Sequence, residues 1–231
     1  MDKTFNIGIA DKRDEFKNEQ LLTSLIDLVI NNPFTGFQKM KLNNSDEWEH
    51  KPDLTIALKN IARKKNTNIQ FGTRVPHYMW SSIDKDNVKN TIAMELSEDY
   101  FSNNDYGQLF NHVLGISQLL PEFFYAKINP IVQISDFYWE NKIERVPSDT
   151  VRLYASWWHL TPPSVYLKDY TREEMLNIPA YKVKEHENGN IEMQVWENPF
   201  EYEKPENIEQ LKKVVDYMRL HHRELKNQAD E

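Results

Sequence analysis

The sequence predicts an α+β fold, an antiparallel β-sheet with helices packed on one face. Three observations carry this expectation. Apolar residues recur with period two in some segments and with helical spacing in others, in mixed order along the chain. The strand segments of the first half are joined by short connections, as in a meander. Asn188-Gly189 stands between two alternating runs, the strongest short-range signal for a hairpin. No Pro/Gly/Ser-rich linker divides the chain, so a single domain over 1–231 is expected, with the alternative of two sub-halves meeting at a seam near Glu140 to Thr150.

Each element has its own reason. Over Thr4 to Ala10, Phe5, Ile7 and Ile9 alternate with polar or small residues, which is strand periodicity. From Asp14 to Asn31, Leu21, Leu22, Leu25, Ile26, Val29 and Ile30 form a helical stripe. Asn31-Asn32-Pro33 stops it, because proline biases the residue before it away from helical angles. Lys41 to Lys51 reads as a polar loop, and Pro52 to Lys65 as a helix whose end is basic, Arg63-Lys64-Lys65. Strands are expected at Asn68 to Arg74, Tyr78 to Ile83 and Thr91 to Ser97. A helix over Asn104 to Leu120 should bury Leu109, Phe110, Val113, Leu114, Ile116 and Leu119 before Pro121 ends it. Phe123 to Ile128 and Ile131 to Trp139 form an aromatic-rich region broken by Asn129-Pro130.

In the second half a strand is expected near Val151 to Trp158, then an irregular or briefly helical stretch over Pro162 to Tyr170. Arg172 to Leu176 follows Thr171, and Thr171-x-x-Glu174 has the form of a capping box. Tyr181, Val183 and Glu185 lead into Asn188-Gly189, and Ile191, Met193 and Val195 lead out, which predicts a hairpin about a type I′ turn. The last helix opens on Pro205, with Glu206 and Glu209 at its positive end and Arg219, His221, His222 and Arg223 at its negative end. Its buried stripe should be Ile208, Leu211, Val215 and Met218.

Composition narrows the function. A chain of 231 residues can bury a sizeable core, and 39% hydrophobic with 12% aromatic residues argues against disorder. Six glycines are too few for a Gly-rich phosphate loop or a dinucleotide fold to be expected. Without cysteine there is no disulfide, no thiolate catalysis and no Cys-ligated zinc, which fits a reducing compartment. The first residues lack a basic stretch followed by an apolar run, and no segment approaches the roughly 18 consecutive apolar residues of a membrane helix. A soluble, cytoplasmic protein with no membrane partner is expected. The net charge of −8 disfavours nucleic acid as a partner and favours basic proteins, although simple solubility is the commoner reason for such a charge.

Tests for chemistry return little. There is no Gly-x-Ser-x-Gly and no His-Glu-x-x-His. His221-His222-Arg223-Glu224 offers two histidines and a carboxylate, but adjacent helical positions point about 100° apart and do not converge on one ion. His112 is a lone histidine on a helix. Glu140 near Asp136 is a carboxylate pair only because acids are plentiful, and Glu173-Glu174 suits the first turn of a helix. No catalytic residue, metal or cofactor is assigned. Trp157-Trp158-His159 is the most distinctive run: neighbours on a strand point to opposite faces, so either both indoles are buried between layers or one is open as an interaction anchor.

The order of features beyond that run is specific. Trp157-Trp158-His159-Leu160-Thr161-Pro162-Pro163-Ser164-Val165-Tyr166-Leu167 is followed by Glu173-Glu174-Met175-Leu176-Asn177-Ile178-Pro179-Ala180-Tyr181, the Asn188-Gly189 hairpin, Asn198-Pro199-Phe200 and a terminal helix. This order resembles the immunity proteins of bacterial polymorphic toxin systems, particularly the fifty-second immunity family. The likeness covers the C-terminal third and extends loosely to the N-terminal strand and helix and to Gly72-Thr73-Arg74. It implies a non-enzymatic protein that binds a cognate toxin domain and blocks it by stoichiometric occlusion. By residue type, the expected contacts are Trp157, Trp158, Tyr166, Asp136 and Trp139. Two other classes stay open: an enzyme gathering His77, Asp136, His159 and Glu140 in a pocket, and a phage or secretion assembly protein that forms a homo-oligomer.

Overall fold

A computed structural model describes residues 4–11, 19–31, 37–42, 69–73, 78–84, 89–97, 106–120, 123–130, 134–144, 156–223 and 225. The expected helix Pro52 to Lys65, with its basic end, lies outside the described residues, as do His77 and residues 151–155 of the expected strand. The fold is α+β. The chain divides into two compact units, Met1–Phe123 and Phe124–Glu231.

The first unit runs β1 (Thr4–Asp11), α1 (Glu19–Ile30), β2 (Phe37–Leu42), β3 (Ile69–Thr73), β4 (Tyr78–Asp84), β5 (Lys89–Ser97) and α2 (Tyr106–Leu119). Its strands lie in the order β2-β3-β4-β5-β1 with every neighbouring pair antiparallel. The expected meander is β3-β4-β5, and β1 joins its far side with Ile7 opposite Met94. Strand β2 corrects the expectation of a loop from Lys41: its pairing with β3 shifts register between Phe37 and Lys39. Such a bulge inserts a residue and breaks the period-two pattern by which a strand is recognised. Leu25 and Ile26 of α1 and Leu109, Val113 and Ile116 of α2 are buried. Phe110, Leu114 and Leu119, expected in the core, are only half-buried, because the inward line of α2 also takes in His112 and Ser117.

The second unit runs β6 (Phe123–Asn129), α3 (Ile134–Glu140), β7 (Trp158–Thr161), α4 (Pro163–Tyr166), α5 (Arg172–Leu176), β8 (Lys182–Glu185), β9 (Ile191–Gln194), a 3-10 turn (Pro199–Glu201) and α6 (Pro205–His221). Its strand order is β6-β7-β9-β8, all antiparallel. Strand β7 starts at Trp158, where the sequence pattern had placed a strand's end. It pairs on both sides, Ala126 opposite Leu160 and His159 opposite Met193. A strand covered on both faces has no polar side, so Trp157 to Thr161 are buried one after another. His159 is therefore an interior strand residue.

The hairpin forms with a different turn from the one expected. Gly189 N–H donates to the His186 carbonyl at 2.8 Å, and His186 N–H to the Asn190 carbonyl at 2.9 Å. Gly189 has φ +79°, while Asn188 is not among the residues with positive φ. A type I′ turn needs positive φ at both central residues, so the loop is the three-residue kind, a turn followed by a left-handed glycine. Asn188 Oδ1 accepts from Asn190 N–H at 3.1 Å and so fixes the turn with its side chain. Pro163 at the start of α4 packs on this turn, 2.9 Å from where a Cβ on Gly189 would stand.

The helix caps follow the sequence. Thr171 and Glu174 form the reciprocal capping box of α5. Pro205 opens α6, Glu206 lies in its first turn, and Arg219 and His221 in its last. Leu211, Val214, Val215 and Met218 are its buried residues; Ile208 is half-buried.

Candidate protein-interaction face

Trp158, which opens β7, and Trp157 just before it belong to the core. Trp157 and Trp158 are both 0% exposed. Trp157 Nε1–H donates to the Trp196 carbonyl at 2.7 Å, and Trp158 Nε1–H to Glu192 Oε1 at 2.9 Å. The other carboxylate oxygen of Glu192 lies 2.8 Å from His186 Nε2. Tyr166 is buried as well, its hydroxyl donating to the Gly189 carbonyl at 3.4 Å. The indole N–H groups thus have acceptors, which is the condition for burying such rings. These three side chains, expected as contacts, offer no surface to a partner in this conformation.

The other two expected contacts share one short helix. Asp136, Trp139 and Glu140 of α3 are exposed, Trp139 at 84%, while Tyr138 is buried. Positions i, i+3 and i+4 lie on one side of a helix, so the two carboxylates and the indole form one face. Phe137 points elsewhere, against Tyr202, with ring centroids 5.8 Å apart.

The end of α3 is held firmly. Lys142 takes φ 54°, Ile143 N–H donates to the Tyr138 carbonyl at 2.9 Å, and Lys142 N–H to the Trp139 carbonyl at 3.2 Å. This is the Schellman arrangement, with buried Ile143 and Tyr138 as its apolar pair. Asn141 adds a side-chain bond to the Phe137 carbonyl at 2.9 Å. Glu144 then pairs with Arg219 in the last turn of α6. The sequence announced none of this, because a lysine in place of the usual glycine hides the helix stop.

The two carboxylates of this face carry no ion pair among the described residues. Several other partly or fully exposed acids in the unit have cationic partners: Glu185 with Arg172, Glu201 with Lys204, Glu209 with Lys212. Among the described residues neither Asp136 nor Glu140 has one, as is also true of exposed Glu173, Glu187 and Asp216; what sets this face apart is the exposed indole between its two acids.

The residues of the enzyme reading are placed as follows. Asp136 and Glu140 share the open side of α3, and His159 is buried on β7. His159 Nδ1 lies 3.2 Å from Thr161 Oγ1, and the ring stacks on Tyr125 at 6.2 Å. At the end of α6 the two histidines diverge: His221 Nδ1 is 3.2 Å from Glu174 Oε1, and His222 sits edge-on to Tyr170 at 5.6 Å. No group of three or more metal-ligating side chains is gathered among the described residues, and no helix there is long and apolar enough to cross a membrane.

No protein-family model matches the chain, and no curated protein matches it. Among solved structures it is similar to a T6SS protein of Pseudomonas aeruginosa, at 7% identity and a TM-score of 0.59, over 94% of this chain and 74% of that one. At that identity the likeness is one of fold. A chain from the structure of the toxic C-terminal tip of CdiA from Pseudomonas aeruginosa in complex with immune protein aligns at 9% identity over 57% of this chain and 88% of that one; its TM-score of 0.30 does not establish a shared fold.

Proposed function

We propose that this chain is an immunity protein, which binds the toxin domain of a cognate secreted bacterial toxin and neutralises it by stoichiometric occlusion, with no chemistry of its own. The observation that carries the reading is the open side of α3, where Trp139 stands exposed beside Asp136 and Glu140. Large aromatic side chains dominate binding energy at protein interfaces, and an indole left in water gains by being covered. The carboxylates and the net charge of −8 suit a basic target, since complementary charge speeds encounter. The order of features from Trp157 to Phe200, which resembles an immunity family, supports the same reading. The T6SS protein contributes a fold, and a fold alone does not carry a function.

The test has two stages. Tagged protein is used to capture its partner from the native bacterium, and the partner's toxin domain is then assayed with increasing amounts of this chain. The expected result is complete loss of toxin activity at one equivalent, with rescue of growth on co-expression. A partner whose activity persists in excess chain, or the recovery of no partner, overturns the reading.

A further inference from the structure

We infer that the open side of α3 is a receptor for one cationic side chain of the bound protein, an arginine in first place, stacked on Trp139 with its charge met by Asp136 and Glu140. This rests on the protein-binding reading above and adds the chemistry of the group recognised.

The local sequence is unfavourable for the helix by itself. Asp136 and Glu140 are like charges at i and i+4, a pair that destabilises a helix. Asp136 has a compensation, since it lies in the first turn and faces the positive end of the peptide dipoles. Glu140 has none: it is the last residue of α3, where a carboxylate meets the negative end. Lys142 follows two residues later and is exposed, yet it forms no ion pair with either acid. Between the two carboxylates along the same face stands an indole that is 84% exposed. No cation of the chain's own described residues sits on that ring. An element that breaks local rules without internal relief is the kind of place where relief comes from outside.

The missing group can be specified. Indole is the best aromatic partner for a cation. Guanidinium is planar, weakly hydrated and always charged, so it stacks on a ring while bonding carboxylates in its own plane. Lysine supplies only a strongly hydrated point charge and gains less from the ring. The Schellman cap and the Glu144–Arg219 pair hold the face in place before anything binds, which lowers the ordering cost of association.

The probe is a capped hexa-arginine peptide, with hexa-lysine as its comparison. It is titrated into the full chain while the Trp139 indole N–H is followed by NMR, assigned by its loss in Trp139→Leu. The expected result is a shift of that resonance, tighter binding of arginine than of lysine, and about 3- to 30-fold weaker binding by Trp139→Leu, although its net charge is unaltered. Asp136→Asn/Glu140→Gln should weaken binding to a similar degree. Melting temperatures no lower than the parent's are expected for these surface variants, slightly higher where the like charges are removed, and exclude misfolding as the cause. Wild-type binding by Trp139→Leu would mean attraction by charge alone and would overturn the receptor. A captured toxin neutralised equally well by all the variants would also overturn it, while leaving the immunity reading intact. A chain that takes up the arginine peptide on Trp139 but neutralises no toxin does the reverse.

Discussion

Glu192 shows how one residue can hold the strand that bears the double tryptophan. It is buried on β9, and it accepts from Trp158 while lying within hydrogen-bond reach of His186. Removing it strands the Trp158 indole N–H away from water, and an orphaned buried donor costs about 1–3 kcal/mol. Glu192→Ala should therefore lower the unfolding free energy measured by urea denaturation by about 1–3 kcal/mol, and Glu192→Gln, which keeps an acceptor oxygen, by less. His112 makes a second residue-scale prediction. Burial lowers its pKa from 6.5 to about 4. Above pH 6.5 the ring is neutral in both folded and unfolded chains and nothing is lost. As pH falls from there toward about 4 the unfolded chain takes up a proton that the folded chain refuses, so stability declines; below about 4 the loss is complete. The full effect is about 3 kcal/mol. Chemical denaturation across this window should show a shallower acid slope for His112→Gln than for the parent chain.

At the scale of elements, two left-handed residues fix two turns, and they differ in kind. Gly189 has φ +79° and faces Pro163 across a gap too small for a Cβ. Gly189→Ala combines left-handed strain with that clash and should cost roughly 1–2 kcal/mol or more, seen as a lower melting temperature. Lys142 carries the same backbone strain without the relief a glycine gives. Lys142→Gly should leave the Schellman cap intact and stabilise the fold by about 0.5–1 kcal/mol. An opposite sign would mean that the lysine side chain does something for α3 that its backbone does not reveal. The capping box of α5 and the proline and acid at the start of α6 were legible because they are local chemistry, set by residues three or four apart. Strand β2 and helix α3 were not, since a bulge and a lysine-capped end remove the patterns by which such elements are read.

At the scale of the whole molecule, the excess of acids gives the last prediction. If partner binding is steered by a chain of net charge −8, its association rate should fall steeply between low and high salt while dissociation changes little. Stopped-flow mixing with the captured toxin domain measures both; a salt-independent association rate would remove charge from the mechanism. By itself the sequence determined the α+β class, the strands β1 and β3 to β5, the hairpin and its neighbouring caps, because periodicity and turn chemistry act over a few residues. Which of Trp157, Trp158, Tyr166, Asp136 and Trp139 could face a partner was left to the tertiary structure. Aromatic side chains read alike in sequence whether they fill a core or stand open. Only the pairing of β7 on both sides and the acceptors that the two indoles find put Trp157 and Trp158 inside, and only the packing of α4 on the hairpin put Tyr166 there. Only the capped geometry of α3 turned Asp136 and Trp139 outward together.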